Sequence, residues 1–267
     1  MFEQMPRSIC VRVTRKCNAH CGFCQAPDTD SGRLSVAELG AISDLLYAAG
    51  VRSLKLSGGE PTTRRDLPEV IRRVSLSGLS VTLISNGIHI SAATIKALGE
   101  VSATVKLSIH YPNELNDTIL GRPCFESVVG SVSRLREAGI EVAINTVLTP
   151  ANMSVVEGMV QFAKDHDVWK VSFIPVVPRG LALMMSEYHL TPSAVGEIRD
   201  EIGRLAGSAP PVVRCIDIRQ KDYWIIENDG SMWVERATHA QDSQLCDNLG
   251  LKDWLEEAIA YTEGVLR

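Results

Sequence analysis

The sequence predicts an α/β protein built as a partial (β/α)6 TIM-like barrel with a small C-terminal α+β extension. Three observations carry this prediction. Short β-branched runs recur at residues 9–14, 51–56, 81–84, 104–109, 141–148 and 169–175. Each but the last is followed by a helical pattern before the next run. Polar side chains recur at every second position inside those runs. Such strand–helix alternation demands a parallel sheet, right-handed crossovers and helices on the outside. Six units fit the spacing better than eight.

The elements follow in order. Ser35 and Glu38 spell a capping box. Val36, Leu39, Ile42, Leu45, Leu46 and Ala49 then recur at helical spacing, and Gly50 ends the helix. Asp66 and Glu69 are expected to open the second helix in the same way. A further helix runs through residues 134–138 and stops at Gly139. After Pro178-Arg179-Gly180 the pattern changes. A helix at about 191–206 is followed by Ser208-Ala209-Pro210-Pro211, a linker signal. Strands at 212–218 and 223–227, a hairpin turn at Asn228-Asp229-Gly230-Ser231 and a closing helix at 251–261 complete the chain. Residues 1–180 are therefore expected to form the barrel core, and 181–267 an extension packed on it.

Strands buried on both faces of a parallel sheet read as continuous apolar runs. These do not. Arg12 and Thr14, Lys55 and Ser57, Lys106 and Ser108, Asn145, and Lys170 and Ser172 fall on alternate positions, which share a face. That pattern points to a polar interior holding a ligand. The alternative is an exposed sheet edge, or salt bridges to the helices.

Composition narrows the function. The 267 residues carry 27 basic and 32 acidic side chains, a net charge of −5. A chain of this length buries about three quarters of its unfolded surface, so it needs no disulfide or metal merely to fold. The acidic balance speaks against broad binding to nucleic acid polymers or anionic membranes. Met1-Phe2-Glu3-Gln4-Met5-Pro6-Arg7 lacks the apolar stretch of a secretory signal, and no run of 18 apolar residues occurs, so a cytoplasmic location is expected. Seven cysteines in such a chain point to metal or redox chemistry rather than disulfides.

Three of them, Cys17, Cys21 and Cys24, form a C-x3-C-x2-C triplet after the first strand. Three thiolates converging from one loop suit three irons of a cubane cluster, whose usual ligation takes four cysteines. The open iron is then free to bind a cofactor. A zinc site with His20 as fourth ligand, or inert buried cysteines, are the other readings.

The triplet resembles the signature of the radical S-adenosylmethionine (radical SAM) superfamily. Lys55-Leu56-Ser57-Gly58-Gly59-Glu60-Pro61 stands where that family carries its Gly-Gly-Glu-Pro motif, and Ser85-Asn86-Gly87 where relatives have a similar turn. Ser108, Arg122 and Asn145-Thr146 follow in the family's order, so the resemblance covers residues 8 to about 180. Its finer features are similar to the branch of the molybdenum-cofactor GTP cyclase and viperin. Cys21-Gly22-Phe23-Cys24, Ile144-Asn145-Thr146-Val147 and Tyr223-Trp224-Ile225-Ile226 have similar text there. The chain departs from that branch at Cys10, where the cyclase has a GTP-binding arginine, and at Ala143 and Val168, where basic phosphate ligands are expected. Only Cys215 and Cys246 stand in the region of the cyclase's second cluster.

The resemblance implies an enzyme with a [4Fe-4S] cluster on Cys17, Cys21 and Cys24. It implies SAM contacts from Phe23, Gly58, Gly59, Glu60, Pro61, Ser85, Asn86, Ser108, Arg122 and Asn145. In this family a reduced cluster cleaves SAM to a 5′-deoxyadenosyl radical, which abstracts hydrogen from the substrate. The partners are then a small polar substrate, nucleoside- or nucleotide-like rather than a triphosphate, and an external one-electron donor such as a flavodoxin or ferredoxin. Arg12, Lys55, Lys106 and Lys170 are candidate substrate contacts. Cys10 and Cys124 are candidates for returning a hydrogen atom, or else small hydrophobes. His110 is a candidate acid–base group or a simple polar cap. Elimination, epimerisation and oxidation all stay open. So do a peptide-modifying enzyme and a non-catalytic metal-binding module.

Overall fold

A computed structural model describes residues 5–29, 32–207, 209–262 and 264. Met1 to Gln4 of the leader reading and Ser208 of the linker reading lie outside these residues. In chain order the elements are β1 (Ser8–Thr14), α1 (Val36–Ala48), β2 (Ser53–Gly58), α2 (Leu67–Leu76), β3 (Ser80–Ser85), α3 (Ala92–Glu100) and β4 (Thr104–Ser108). Then follow α4 (Leu115–Leu120), α5 (Phe125–Glu137), β5 (Glu141–Leu148), α6 (Val156–Asp165) and β6 (Lys170–Pro175). The extension supplies α7 (Pro192–Leu205), β7 (Val212–Cys215), β8 (Tyr223–Ile226), β9 (Met232–Glu235), β10 (Ser243–Cys246) and α8 (Leu251–Thr262).

Among the described residues one ten-stranded sheet runs β10-β9-β8-β1-β2-β3-β4-β5-β6-β7. The strands from β8 to β7 are all parallel, and the only antiparallel pairings among the described residues are β8 with β9 and β9 with β10. The sheet is open, as in a partial barrel. The six strand–helix repeats account for β1 to β6. The extension adds β7 beside β6 and β8 beside β1, so it continues the sheet at both edges. The strand read at 212–218 stops at Cys215 because Asp217 leaves the ladder. Its carboxylate accepts from the Arg219 backbone N–H at 3.2 Å and from Arg199 at 2.7 Å.

The alternation in the sequence is the physical reason the sheet has two unlike faces. Leu54, Leu56, Val81, Leu83, Val105, Leu107, Ile144 and Val171 are buried with Leu39, Leu46, Ile71, Leu98, Val132 and Leu135 of the helices. Each such side chain contributes about 1.5–3 kcal/mol on burial. Their neighbours Lys55, Ser57, Lys106, Ser108, Asn145, Lys170 and Ser172 necessarily occupy the concave face.

Local caps fix the helix entries. Ser35 and Glu38 form the expected reciprocal box, with the Glu38 N–H donating to Ser35 Oγ at 3.2 Å and the Ser35 N–H to Glu38 Oε2 at 2.7 Å. Asp66 behaves differently: it caps no backbone N–H of α2. Both its oxygens accept from buried Arg64, at 3.0 Å each. The two-pronged charged interaction outcompetes a single backbone donor. Arg64 also donates to the Val13 and Leu34 carbonyls, at 2.8 and 2.9 Å, and so ties the end of β1 to the approach to α1. No described helix is long and apolar enough to cross a membrane.

Candidate active site

The loop after β1 carries the three cysteines over the C-terminal ends of the strands, where barrels place their sites. Beneath it lies a cavity of about 250 Å³ whose walls include Cys17, Cys21, Cys24, Phe23, Glu60, Ser85, Asn86, Ser108, His110 and Asn145. The main elements of the sequence resemblance thus converge on one hollow.

Gly58 and Gly59 let the end of β2 meet the cysteine loop. A Cβ on Gly58, whose φ is +140°, would lie 2.0 Å from the Thr14 carbonyl oxygen, and one on Gly59 2.4 Å from that of Lys16. The resulting bonds, Gly59 N–H to Thr14 O and Glu60 N–H to Lys16 O, are both 2.8 Å. Pro61 is buried and opens the 3-10 turn Pro61–Thr63. The glycines therefore serve backbone-to-backbone approach as well as lining the cavity.

Glu60 is 1% exposed. Its Oε1 accepts from Thr62 N at 3.0 Å, Thr62 Oγ1 at 2.8 Å and Ser85 Oγ at 2.9 Å, and its Oε2 accepts from Asn86 N at 2.7 Å. Burial raises its pKa, and these donors oppose the rise. No cation pairs with it among the described residues. A buried carboxylate on a cavity wall, held by neutral donors with lone pairs left on Oε2, has the chemistry to receive an ammonium group. Asn86 Nδ2 in turn donates to Asn18 Oδ1 at 2.7 Å and steadies the loop.

The donor set fits an iron–sulfur cluster. Burial raises the Cys17 pKa, and pushes that of Cys21 up to about 12, with Cys24 and Cys17 adding to the effect. Crowded, desolvated thiolates need a strongly positive partner, which bound iron provides. Among the described residues no three His, Cys, Asp or Glu side chains close on a single ion position.

His110 is buried on the same wall, and burial lowers its pKa to about 4. Its Nδ1 accepts from the Val147 N–H at 3.2 Å, which places the ring proton on Nε2. The Phe23 ring meets it edge-on, 5.2 Å between centroids.

Other sequence candidates lie around the cavity. Arg122 is exposed and outside the cavity lining; it donates to the Asn18 carbonyl at 2.7 Å. With the His20 N–H to Leu120 O bond of 2.9 Å, it fastens the end of α4 to the cysteine loop. Arg12 is buried against Glu227 and Glu235, whose carboxylates overcome the effect of burial and hold it charged. Cys10 is buried behind Tyr223, which hydrogen-bonds it and itself lines the cavity. Cys124 begins α5, and its thiol donates to Asp117 Oδ1 at 3.4 Å, away from the cavity wall. Lys55, Lys106 and Lys170 share the concave face, and Lys55 and Lys106 lie two residues before the cavity-lining serines Ser57 and Ser108. Burial, then Lys55 and Lys170, pull the Lys106 pKa down to about 8. None of the three lysines pairs with a carboxylate among the described residues. Lys55 Nζ sits 5.3 Å from the Tyr223 ring centroid.

Sequence reasoning passed over Tyr223 and Ile218 as cavity residues. Both come from the extension, and only the long-range pairing of β8 with β1 brings Tyr223 to the site.

An open parallel α/β sheet with three loop cysteines facing a buried glutamate defines a class of barrel enzymes that work through a metal cluster. The chain belongs to the radical SAM superfamily, whose family description matches residues 11–163. It is 32% identical over 210 residues to a probable GTP 3′,8-cyclase of Sulfurisphaera tokodaii, covering 75% of this chain and 67% of the relative. An AdoMet-dependent heme synthase of Oleidesulfovibrio alaskensis is 29% identical over 198 residues, covering 72% of this chain and 51% of the relative. The matched segment thus spans from about half to two thirds of these relatives. Among solved structures, SuiB of Streptococcus suis bound to S-adenosylmethionine superposes with a TM-score of 0.69 at 17% identity, covering 95% of this chain and 65% of that one. Native anSMEcpe with bound AdoMet gives 0.72 at 16% identity, covering 96% of this chain and 80% of that one. At such identities the likeness is one of fold.

Proposed function

We propose that this radical SAM enzyme acts on a small, polar, anionic substrate, nucleoside- or nucleotide-like, lodged against the concave face of the sheet. Cys17, Cys21 and Cys24 would hold a [4Fe-4S] cluster, and the remaining iron would take SAM. Held there, the two would supply one-electron radical chemistry able to take hydrogen from a substrate carbon.

The chain's own groups bind and orient. Glu60 Oε2 receives the ammonium of the methionine moiety. Ser85, Asn86, Ser108 and Asn145 offer hydrogen bonds to the methionine end and the ribose, and Phe23 packs on the adenine. Arg122 holds the cysteine loop from outside. Lys55, Lys106 and Lys170, three cations without a carboxylate among the described residues, anchor the anionic group of the substrate. His110 presents Nε2–H as a neutral donor. Iron-bound thiolates suit a reducing compartment, so we place the enzyme in the cytoplasm, supplied with electrons by a flavodoxin or ferredoxin.

One observation carries this reading: the three cysteines and a buried glutamate, without a cation partner among the described residues, share the walls of one cavity. Anaerobic reconstitution tests it. The expected result is a brown protein with about four irons. On reduction it should release 5′-deoxyadenosine from SAM, carrying deuterium from a labelled nucleotide substrate. Colourless protein with stoichiometric zinc overturns the reading in favour of a binding module. SuiB has been solved with its precursor peptide SuiA, so label transferred only from peptides would replace the substrate class.

A further inference from the structure

The segment after β6 folds back onto the cysteine loop. The Leu181 N–H donates to the Cys24 carbonyl at 2.8 Å. The segment is braced internally by His189 Nε2 on the Ala182 carbonyl at 2.7 Å. Its last 3-10 turn, Ser186–Tyr188, presents Tyr188 to the loop.

Two contacts single out this tyrosine. Its hydroxyl occupies the place a side chain at position 22 would take: a Cβ on Gly22 would meet Tyr188 Oη at 2.1 Å and Cζ at 3.0 Å. Its ring meets Phe23 edge-on, with centroids 6.0 Å apart and planes at 83°. Phe23 is therefore gripped at right angles by two rings, Tyr188 and His110. Phe23, Val176 and Ala182 form a small apolar cluster of their own, with Cys21, Ile119, Val147 and Tyr188 packed on it. This cluster is separate from the main core, so the pose of Phe23 depends on these few neighbours.

Resting on the reading that Phe23 packs on the adenine of SAM, we infer that Tyr188 is a positioning residue for that adenine, acting through Phe23, and that Gly22 is the space reserved for its hydroxyl. Edge-to-face pairs contribute about 0.5–1.5 kcal/mol beyond burial. Loss of one converts to about a 2- to 12-fold change in affinity. The loss is selective. The methionine end is received by Glu60, on a different wall, so only adenine-bearing ligands depend on Tyr188.

The test uses cluster-loaded enzyme and equilibrium binding of SAM, 5′-deoxyadenosine and methionine, with iron content measured alongside. Tyr188→Leu should keep its iron, bind SAM and 5′-deoxyadenosine several-fold more weakly, and bind methionine as the parent does. Tyr188→Phe keeps the ring edge and should bind all three ligands within about twofold of the parent. Gly22→Ala pushes a methyl into the hydroxyl and should reproduce the selective loss. Adding Tyr188→Phe to Gly22→Ala should return part of it. If Tyr188→Leu does not fold, the Gly22→Ala pair decides alone. Equal weakening of all three ligands, or none in either variant, overturns the inference. A parent enzyme that binds no SAM overturns the underlying reading instead.

Discussion

Arg12 on β1 donates to both oxygens of Glu235 on β9, at 2.9 and 3.0 Å. The same carboxylate takes Arg179 at 3.0 Å, and Arg179 reaches Asp242 at 2.7 Å. All four side chains are nearly buried, so a chain of alternating charges staples the extension to the first strand.

Breaking that chain should be costly. Glu235→Gln leaves two buried guanidinium groups short of one negative charge. Removing one partner of a buried pair destabilises by about 3–5 kcal/mol. Urea unfolding should show the midpoint falling sharply. An unchanged midpoint would show that the network is bystander geometry.

Glu60→Gln keeps the shape of the side chain and removes its charge. The Asn86 N–H and Ser85 hydroxyl lose their charged acceptor, worth about 1.5–3 kcal/mol for such a bond. A SAM ammonium would lose its counter-ion as well. Cluster loading should survive while SAM affinity drops by at least about tenfold, a loss of about 1.4 kcal/mol. Calorimetric titration of the reconstituted variant measures this; parental affinity would remove Glu60 from the SAM site.

Lys106 gives the site a pH signature. Its pKa stands at about 8 because of burial and the charges of Lys55 and Lys170. A bound anion favours the charged form, so binding above pH 8 must take up a proton. Affinity for an anionic substrate should therefore fall as pH rises through about 8. Lys106→Met should weaken binding roughly 10- to 150-fold, equivalent to about 1.5–3 kcal/mol, and flatten the profile. A profile of KM against pH that keeps its slope in the variant would assign the titration elsewhere.

His110 acts on the acid side. Its folded pKa of about 4 lies below the ordinary 6.5, so the unfolded chain binds the extra proton first. Its contribution is fully present above pH 6.5 and is lost as pH falls toward 4. Unfolding midpoints at pH 7 and pH 5 should differ less in His110→Gln than in the parent. An identical difference would show that other groups carry the acid sensitivity.

Much of the fold is local in the sequence and was legible there. Leu54 and Leu56 against Lys55 and Ser57 reveal which face of β2 meets the helices, because alternation is set by the backbone. The Ser35–Glu38 box marks α1 because both bonds lie within four residues. Asp66 looks like the same signal, but its carboxylate is taken by Arg64, a choice made by the packing of β1 and α1. Parity puts Arg12 on the concave face, yet its partners Glu227 and Glu235 are 215 and 223 positions away. Cys10 is likewise screened by Tyr223. No local pattern reports a parallel edge pairing made across the whole chain, and so the second wall of the cavity was hidden.

That distance has a consequence during synthesis. Arg12 emerges from the ribosome long before Glu227, 215 positions later. At about 5–20 residues per second, a buried guanidinium waits roughly ten to forty seconds for its partner. Until then β1 has β2 on one side only and its other edge stands open, so the nascent chain passes through a stage in which a cation destined for the interior is still wet and that edge of its first strand is exposed to any intruder.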